Sequence, residues 1–297
     1  MKTILLFLAL GAMLVDHARP EVIVDDSFNY PDGPLVGVSA GTWTNHSGTL
    51  GEVDVTSGKV NLDQRESEDV HVDLAGGPYE GPVLYASFLV NFSALPIGAG
   101  TYFAHFKGAT ATGIRCRLFA TTNGAASGRF RLGLANGAGI PVNVVTDLEL
   151  NTDYFLVLRY DTGTPASTLW IHPDSESATL DRAEATDPAT ALAITSFALR
   201  QAGLNPGMGV LTLDELRVGT TFADVVHSGY RLDVQWATDG LEISWPVAAA
   251  DYQLQGNETF DPAGWANVVE LPAQQGDKLV VRYGDLSGRR FFRLIKP

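Results

Sequence analysis

The segment Val210-Leu211-Thr212-Leu213-Asp214-Glu215-Leu216-Arg217-Val218-Gly219 constrains the fold of this chain more than any other. Its alternating apolar residues read as a strand, and an acidic pair stands in the middle of it. Near the start of the chain lies a counterpart, Val22-Ile23-Val24-Asp25-Asp26-Ser27-Phe28, again an apolar run that ends on an acidic pair. The two read as the first and last strands of one β-sandwich, which places the end of a unit near residue 225.

Everything between them is written as short strands and turns. Glu52 to Thr56 and Lys59 to Leu62 flank Ser57-Gly58 and read as a hairpin. Val83 to Phe92 and Tyr154 to Tyr160 are nearly continuous apolar runs, as expected of central strands. Arg129-Phe130-Arg131-Leu132 alternates, which gives one packed face and one wet face. Asn123-Gly124 and Asn136-Gly137 are turn sites, and the polar stretch His172 to Pro188 reads as a long surface loop. With 31 glycines and 15 prolines in 297 residues, turns are plentiful, and no three-turn helix is expected after the N-terminal segment.

A second unit is expected from about Gly229 to Pro297. Leu241 to Trp245, Asp251 to Gln255, Leu279 to Tyr283 and Arg290 to Ile295 are its strand candidates, with Trp245, Trp265, Phe291 and Phe292 as its core. This reads as a small β-sandwich, with no sequence repeat between the two units.

The N-terminus has the layout of a signal peptide. Lys2 supplies a positive start and Thr3 to Val15 an apolar run of the right length, with cleavage expected after Ala18, although Asp16 fits the small-residue rule badly. Export to the cell exterior or surface is therefore the expectation. No apolar run reaches the roughly 18 residues that cross a bilayer. The net charge of −14 argues against general nucleic-acid binding or adhesion to anionic membranes. The single cysteine, Cys116, excludes an internal disulfide and reads as a small buried hydrophobe.

Asp26-Ser27-Phe28-Asn29-Tyr30-Pro31-Asp32-Gly33, the strand Tyr154 to Asp161 and the strand Leu213 to Val218 resemble laminin-G-like domains, members of the concanavalin A-like lectin/glucanase group. The likeness covers roughly residues 22 to 225 and is nearest to versions in secreted bacterial proteins. It implies an all-β chain, a jelly-roll β-sandwich followed by the small β-sandwich. Residues 229–297 resemble small C-terminal β-domains of such proteins, through Trp245-Pro246 and Phe291-Phe292-Arg293-Leu294. Envelope attachment is one role that likeness suggests.

Catalytic signatures are sparse. Glycoside hydrolases of this jelly roll arrange carboxylates as Glu-x-Asp-x-x-Glu on one strand. Glu52-Val53-Asp54 lacks the last carboxylate, and Asp147-Leu148-Glu149 is expected in a turn. No Gly-x-Ser-x-Gly, His-Glu-x-x-His or phosphate-cradling loop occurs. The six histidines are scattered singly, which argues against a His-rich metal site.

Charge placement is more informative. Between Asn91 and Thr146 there is no Asp or Glu, yet Lys107, Arg115, Arg117, Arg129 and Arg131 fall there. By strand parity Arg115 shares a face with Arg117, Arg129 with Arg131, and His105 with Lys107. If those strands are neighbours, the six residues form a positive patch that suits carboxylated or sulfated polysaccharides. The alternative is a solvated face balanced by acids such as those from Asp63 to Asp69. Trp43 and Tyr102 are candidates for stacking on sugar rings, with core packing the favoured reading of each.

The acidic pairs also suggest structural calcium at Asp26 and Asp214, since pairing of the terminal strands would bring hard oxygen ligands together. The resemblance maps a glucanase calcium position onto Asp214. With Leu216 and Val218 facing inward, strict alternation puts Asp214 on the inward face. The favoured function is a non-catalytic, secreted binding or adhesion protein that recognises a carbohydrate. A polysaccharide-degrading enzyme of the same fold and a structural envelope component are the alternatives.

Overall fold

A computed structural model describes residues 22–201, 206–226, 232–237, 240–250, 252–259, 264–276, 278–284 and 290–295. The signal segment and the expected boundary at Gly229 lie outside the described residues. Among the described residues the regular structure is nearly all antiparallel strand, and the two α-helices, Leu35–Val38 and Phe222–Val225, are four residues each.

Residues 22–226 build two facing sheets. One sheet runs in the order Arg182–Ala185, Ala166–Ile171, Asp153–Asp161, Val83–Ala94, Val210–Gly219, Lys59–Asp63, Asp54–Thr56, Gly33–Pro34. The first described strand, Val22–Asp26, pairs antiparallel with Val210–Gly219, as the matched acidic segments suggest. The other sheet runs Val142–Asn143, Arg131–Ala135, Ile114–Thr121, Thr101–Lys107, Ser196–Arg200, Asp69–Asp73, Trp43–Ser47. Early strands pair with late ones in nested order: Lys59–Asp63 with Val210–Gly219 in one sheet, Asp69–Asp73 with Ser196–Arg200 in the other. That nesting across two sheets is a jelly-roll β-sandwich.

The alternation of each strand supplies the core between the sheets. Phe88, Phe92, Phe103, Phe106, Phe130, Phe197, Trp43 and Tyr160 are all fully buried there. Phe92 lies 4.4 Å from Phe130 and 5.7 Å from Phe103, ring centre to ring centre. Each large aromatic buried this way contributes on the order of 2–3 kcal/mol by area alone. Cys116 belongs to this core, and burial pushes its thiol up to about 12.

The expected hairpin forms with Thr56 opposite Lys59, and Ser57 and Gly58 both adopt positive φ, 53° and 73°. That is the backbone of a two-residue type I′ turn, which explains the glycine. The stretch His172 to Pro188 is not all loop. Arg182–Ala185 forms an edge strand against Ala166–Ile171, because its Ala183 and Ala185 reach the core while Arg182 and Glu184 point to water.

Residues 232–295 carry a four-stranded sheet and a three-stranded sheet around a separate hydrophobic cluster. Trp245 sits at its centre with Ile243, Val281 and Leu254, and Phe292 packs at its margin. Trp265 and Phe291 lie outside that cluster. Trp265 instead receives the Arg293 guanidinium 4.3 Å from its ring centre.

Candidate functional site

The seven-stranded sheet turns one face to the core and the other away from it. On its outer face, polar residues alternate with the buried Val70, Val72, Phe106, Leu118, Phe197 and Leu199. Strand register then sets neighbours across the sheet. Ala198 stands between His105 and His71, and Thr44 lies opposite His71, which makes one row of side chains over four strands. Ser196 stands between Lys107 and Asp73 in the next row. Arg200 stands opposite Asp69 in the third.

Tyr102 is the aromatic centre of this face. The Arg200 guanidinium lies 4.2 Å from its ring centre and the Arg117 guanidinium 5.2 Å, so two cations share one π-system. Arg117 also lies 5.2 Å from the Phe119 ring. Its Nη2 donates to the Gly139 carbonyl at 3.3 Å. The loop that carries this carbonyl is held in turn by Asp187, whose carboxylate accepts from the backbone N–H groups of Asn136, Gly137 and Gly139. Burial, more than the neighbouring Arg200, pulls the Arg117 guanidinium below its usual range.

Asn143 reaches over Gly133 from the edge strand. A Cβ at position 133 would stand 2.1 Å from Asn143 Oδ1, so glycine is what lets that amide lie flat against the sheet. Several polar atoms here are buried and without a hydrogen-bond partner: both ring nitrogens of His105, Arg117 Nε, Asn143 Oδ1 and Ser196 Oγ. Unpartnered buried polar atoms are rare, and each costs about 1–3 kcal/mol.

Three histidines distant in sequence meet on the same face. His46 and His71 approach at 3.3 Å between their Nδ1 atoms, and the His46 ring centre lies 6.4 Å from that of His105. Burial first, and then His71 and Lys107, pull His46 down to about 4. Burial and Lys107 lower His71 against the opposing pull of Asp73. Fully buried, His105 falls well below its ordinary value. All three environments favour the neutral imidazole. The fold brings together histidines that look isolated in the sequence, while among the described residues no group of three or more His, Cys, Asp or Glu is arranged to hold a metal ion.

The six residues expected to form a positive patch divide. His105, Lys107 and Arg117 lie on the outer face. Arg115 does not, because Cys116 adopts φ 52° in a β-bulge that interrupts the alternation. Arg115 stands opposite the core residue Phe106, and its guanidinium donates to the carbonyl and hydroxyl of Thr190. Arg129 and Arg131 are neutralised locally by Glu149 and Asp147. The Ala126 N–H and the Arg131 guanidinium hold the Asp147 carboxyl below the usual range. The balancing acids thus come from just beyond the acid-free stretch. In the segment Asp63 to Asp69, Asp63 is occupied by Arg65, and Asp69 stands 4.0 Å from Arg200.

Arg200, His46, His71, Asn143 and Ser196 also belong to the face and were not among the expected site residues. For His71, Ser196 and Arg200 the signal was the alternation in Asp69-Val70-His71-Val72-Asp73 and in Ser196-Phe197-Ala198-Leu199-Arg200; His46 and Asn143 join the face only through strand order. Trp43 takes the core alternative, fully buried, whereas Tyr102 lies on the outer face.

The two residues expected to hold calcium, Asp26 and Asp214, lie in different settings. Asp26 is buried, and its carboxylate accepts from Phe28 N–H at 2.8 Å, Trp43 Nε1–H at 2.8 Å and the Tyr30 hydroxyl at 2.9 Å. Three of its roughly four lone-pair positions are thus taken by donors. Asp214 is not on the inward face. A bulge with Glu215 at φ 53° moves the inward set from Leu211 and Leu213 to Leu216 and Val218, and leaves Asp214 and Glu215 half-exposed. Asp25 pairs with Arg217 at 3.2 Å.

No family model matches the chain, and no curated protein matches its sequence. Solved structures are similar to it. Domain 4 of a GH43 extracellular arabinanase from Geobacillus stearothermophilus, in complex with arabinotriose, is 18% identical, over 68% of this chain and 93% of that one, with a TM-score of 0.41. The exoplasmic/lumenal domain of VIP36 in a Ca2+/Man3GlcNAc-bound form is 12% identical, over 63% and 85%, with a TM-score of 0.38. The marine PL7 alginate lyase AlyA1 from Zobellia galactanivorans is 14% identical, over 61% and 96%, with a TM-score of 0.41.

Proposed function

We propose that this protein is a secreted carbohydrate-binding protein that holds an acidic polysaccharide on the outer face of its seven-stranded sheet. The observation that carries the reading is Tyr102 flanked by Arg117 and Arg200, in a chain whose net charge is −14. A cationic site on an anionic molecule selects an anionic ligand, because the rest of the surface repels it. Guanidinium forks pair with carboxylate or sulfate, and the Tyr102 and Phe119 rings offer apolar area to a sugar. Residues 1–18 serve as the export signal. Residues 22–225 form the binding domain, and residues 229–297 form a separate C-terminal domain suited to envelope attachment.

The test is electrophoresis in gels loaded with a uronic or sulfated polysaccharide. Retardation is expected there and not in gels loaded with neutral dextran. Equal migration in all three gels contradicts the reading.

A further inference from the structure

The histidine cluster gives the proposed anion site a regulatory property. We propose that anion binding on the outer face is coupled to proton uptake by His46, His71 and His105, so that the site tightens as pH falls. The inference rests on the binding reading above.

The charged and titratable groups around the cluster are few and come from five strands. Trp43–Ser47 contributes His46, and Asp69–Asp73 contributes Asp69, His71 and Asp73. Thr101–Lys107 contributes Tyr102, His105 and Lys107. Ser196–Arg200 contributes Arg200, and Ile114–Thr121 contributes Arg117. The acids among them are poorly placed to support a charged imidazole. Asp73 is mostly exposed and 3.5 Å from His71 Nε2, and Asp69 is engaged by the Ser47 hydroxyl at 2.6 Å. Lys107 acts against protonation of all three rings, Arg200 and Arg117 against that of His105. The same cations make a metal ion an unfavourable occupant.

An anion seated among these groups reverses the balance. It offsets Lys107, Arg117 and Arg200, the cations whose charge opposes protonation of the rings. Each imidazole then gains by taking a proton. Linkage is reciprocal: if an anion raises proton affinity, protons raise anion affinity by the same factor. One proton taken up per anion bound changes affinity by up to about tenfold per pH unit.

The experiment uses the whole protein and dextran sulfate, whose sulfates stay ionised throughout the range. Titration calorimetry at about pH 6 in two buffers of different ionisation enthalpy should show net proton uptake on binding. The affinity should rise by about tenfold or more between about pH 7.5 and pH 5.5, and the His46→Gln/His71→Gln double variant should flatten that slope. A pH-independent affinity with no proton uptake overturns the coupling and leaves the binding function standing. A double variant with the wild-type slope also overturns it. If that variant does not fold, wild-type calorimetry decides. No binding at any pH overturns both the coupling and the reading it rests on.

Discussion

Asp26 holds together three parts of the fold that are distant in chemistry though near in space. Its carboxylate accepts from a backbone N–H, a phenol and the indole of the fully buried Trp43. Removing it leaves those donors unpaired, the indole in a place water cannot reach. Asp26→Ala should therefore cost about 3 kcal/mol or more in urea unfolding. Because donors already surround that carboxylate, adding calcium or a chelator should leave the wild-type melting midpoint unchanged. A chelator-dependent midpoint would show that metal binding matters somewhere in the chain. Tyr30, which donates to the same carboxylate, is pushed up to about 12, first by its own burial.

At the scale of strands, how much could be read in advance depended on alternation. The hairpin at Ser57-Gly58, the two long central strands and the pairing of the terminal strands were legible from period and turn chemistry. Bulges were not, since one extra residue in a strand leaves no mark on composition. At Cys116 and Glu215 a positive φ shifts every later side chain by one face. That shift separates Arg115 from Arg117 and moves Asp214 off the inward face. The outer face of the seven-stranded sheet was half legible: Lys107, Arg117 and His105 follow from parity, but Arg200 and the histidines of other strands meet them only through strand order. Gly133 tests the local architecture of that face. Gly133→Ala should displace Asn143, whose Oδ1 stands 2.1 Å from the new Cβ, and weaken polysaccharide retardation by several-fold with a smaller effect on melting. Unchanged retardation would remove Asn143 from the site.

For the whole molecule, the two hydrophobic clusters around Phe88 and around Trp245 share no residue. If each unit is a domain, a fragment of residues 22–226 should fold alone, melt cooperatively and keep its polysaccharide binding. An aggregated or unfolded fragment would argue for one indivisible body. Acid should also weaken the unliganded protein. His46 lies at about 4 in the folded state against an ordinary value near 6.5. The unfolded chain then binds more protons between those values, so this contribution is complete above about pH 6.5 and is lost as pH falls towards 4. The melting midpoint should fall over that window, less steeply in His46→Gln.

The central claim is that a cationic, aromatic face of the seven-stranded sheet holds an acidic polysaccharide, and side-by-side affinity electrophoresis of three arginine variants tests it most directly. Arg117→Ala and Arg200→Ala should each weaken binding by about tenfold or more, as expected for loss of a charge-assisted hydrogen bond. Arg131→Ala should bind like wild type, because Asp147 already neutralises that guanidinium. Equal binding by all three variants, or a loss confined to Arg131→Ala, would contradict the account.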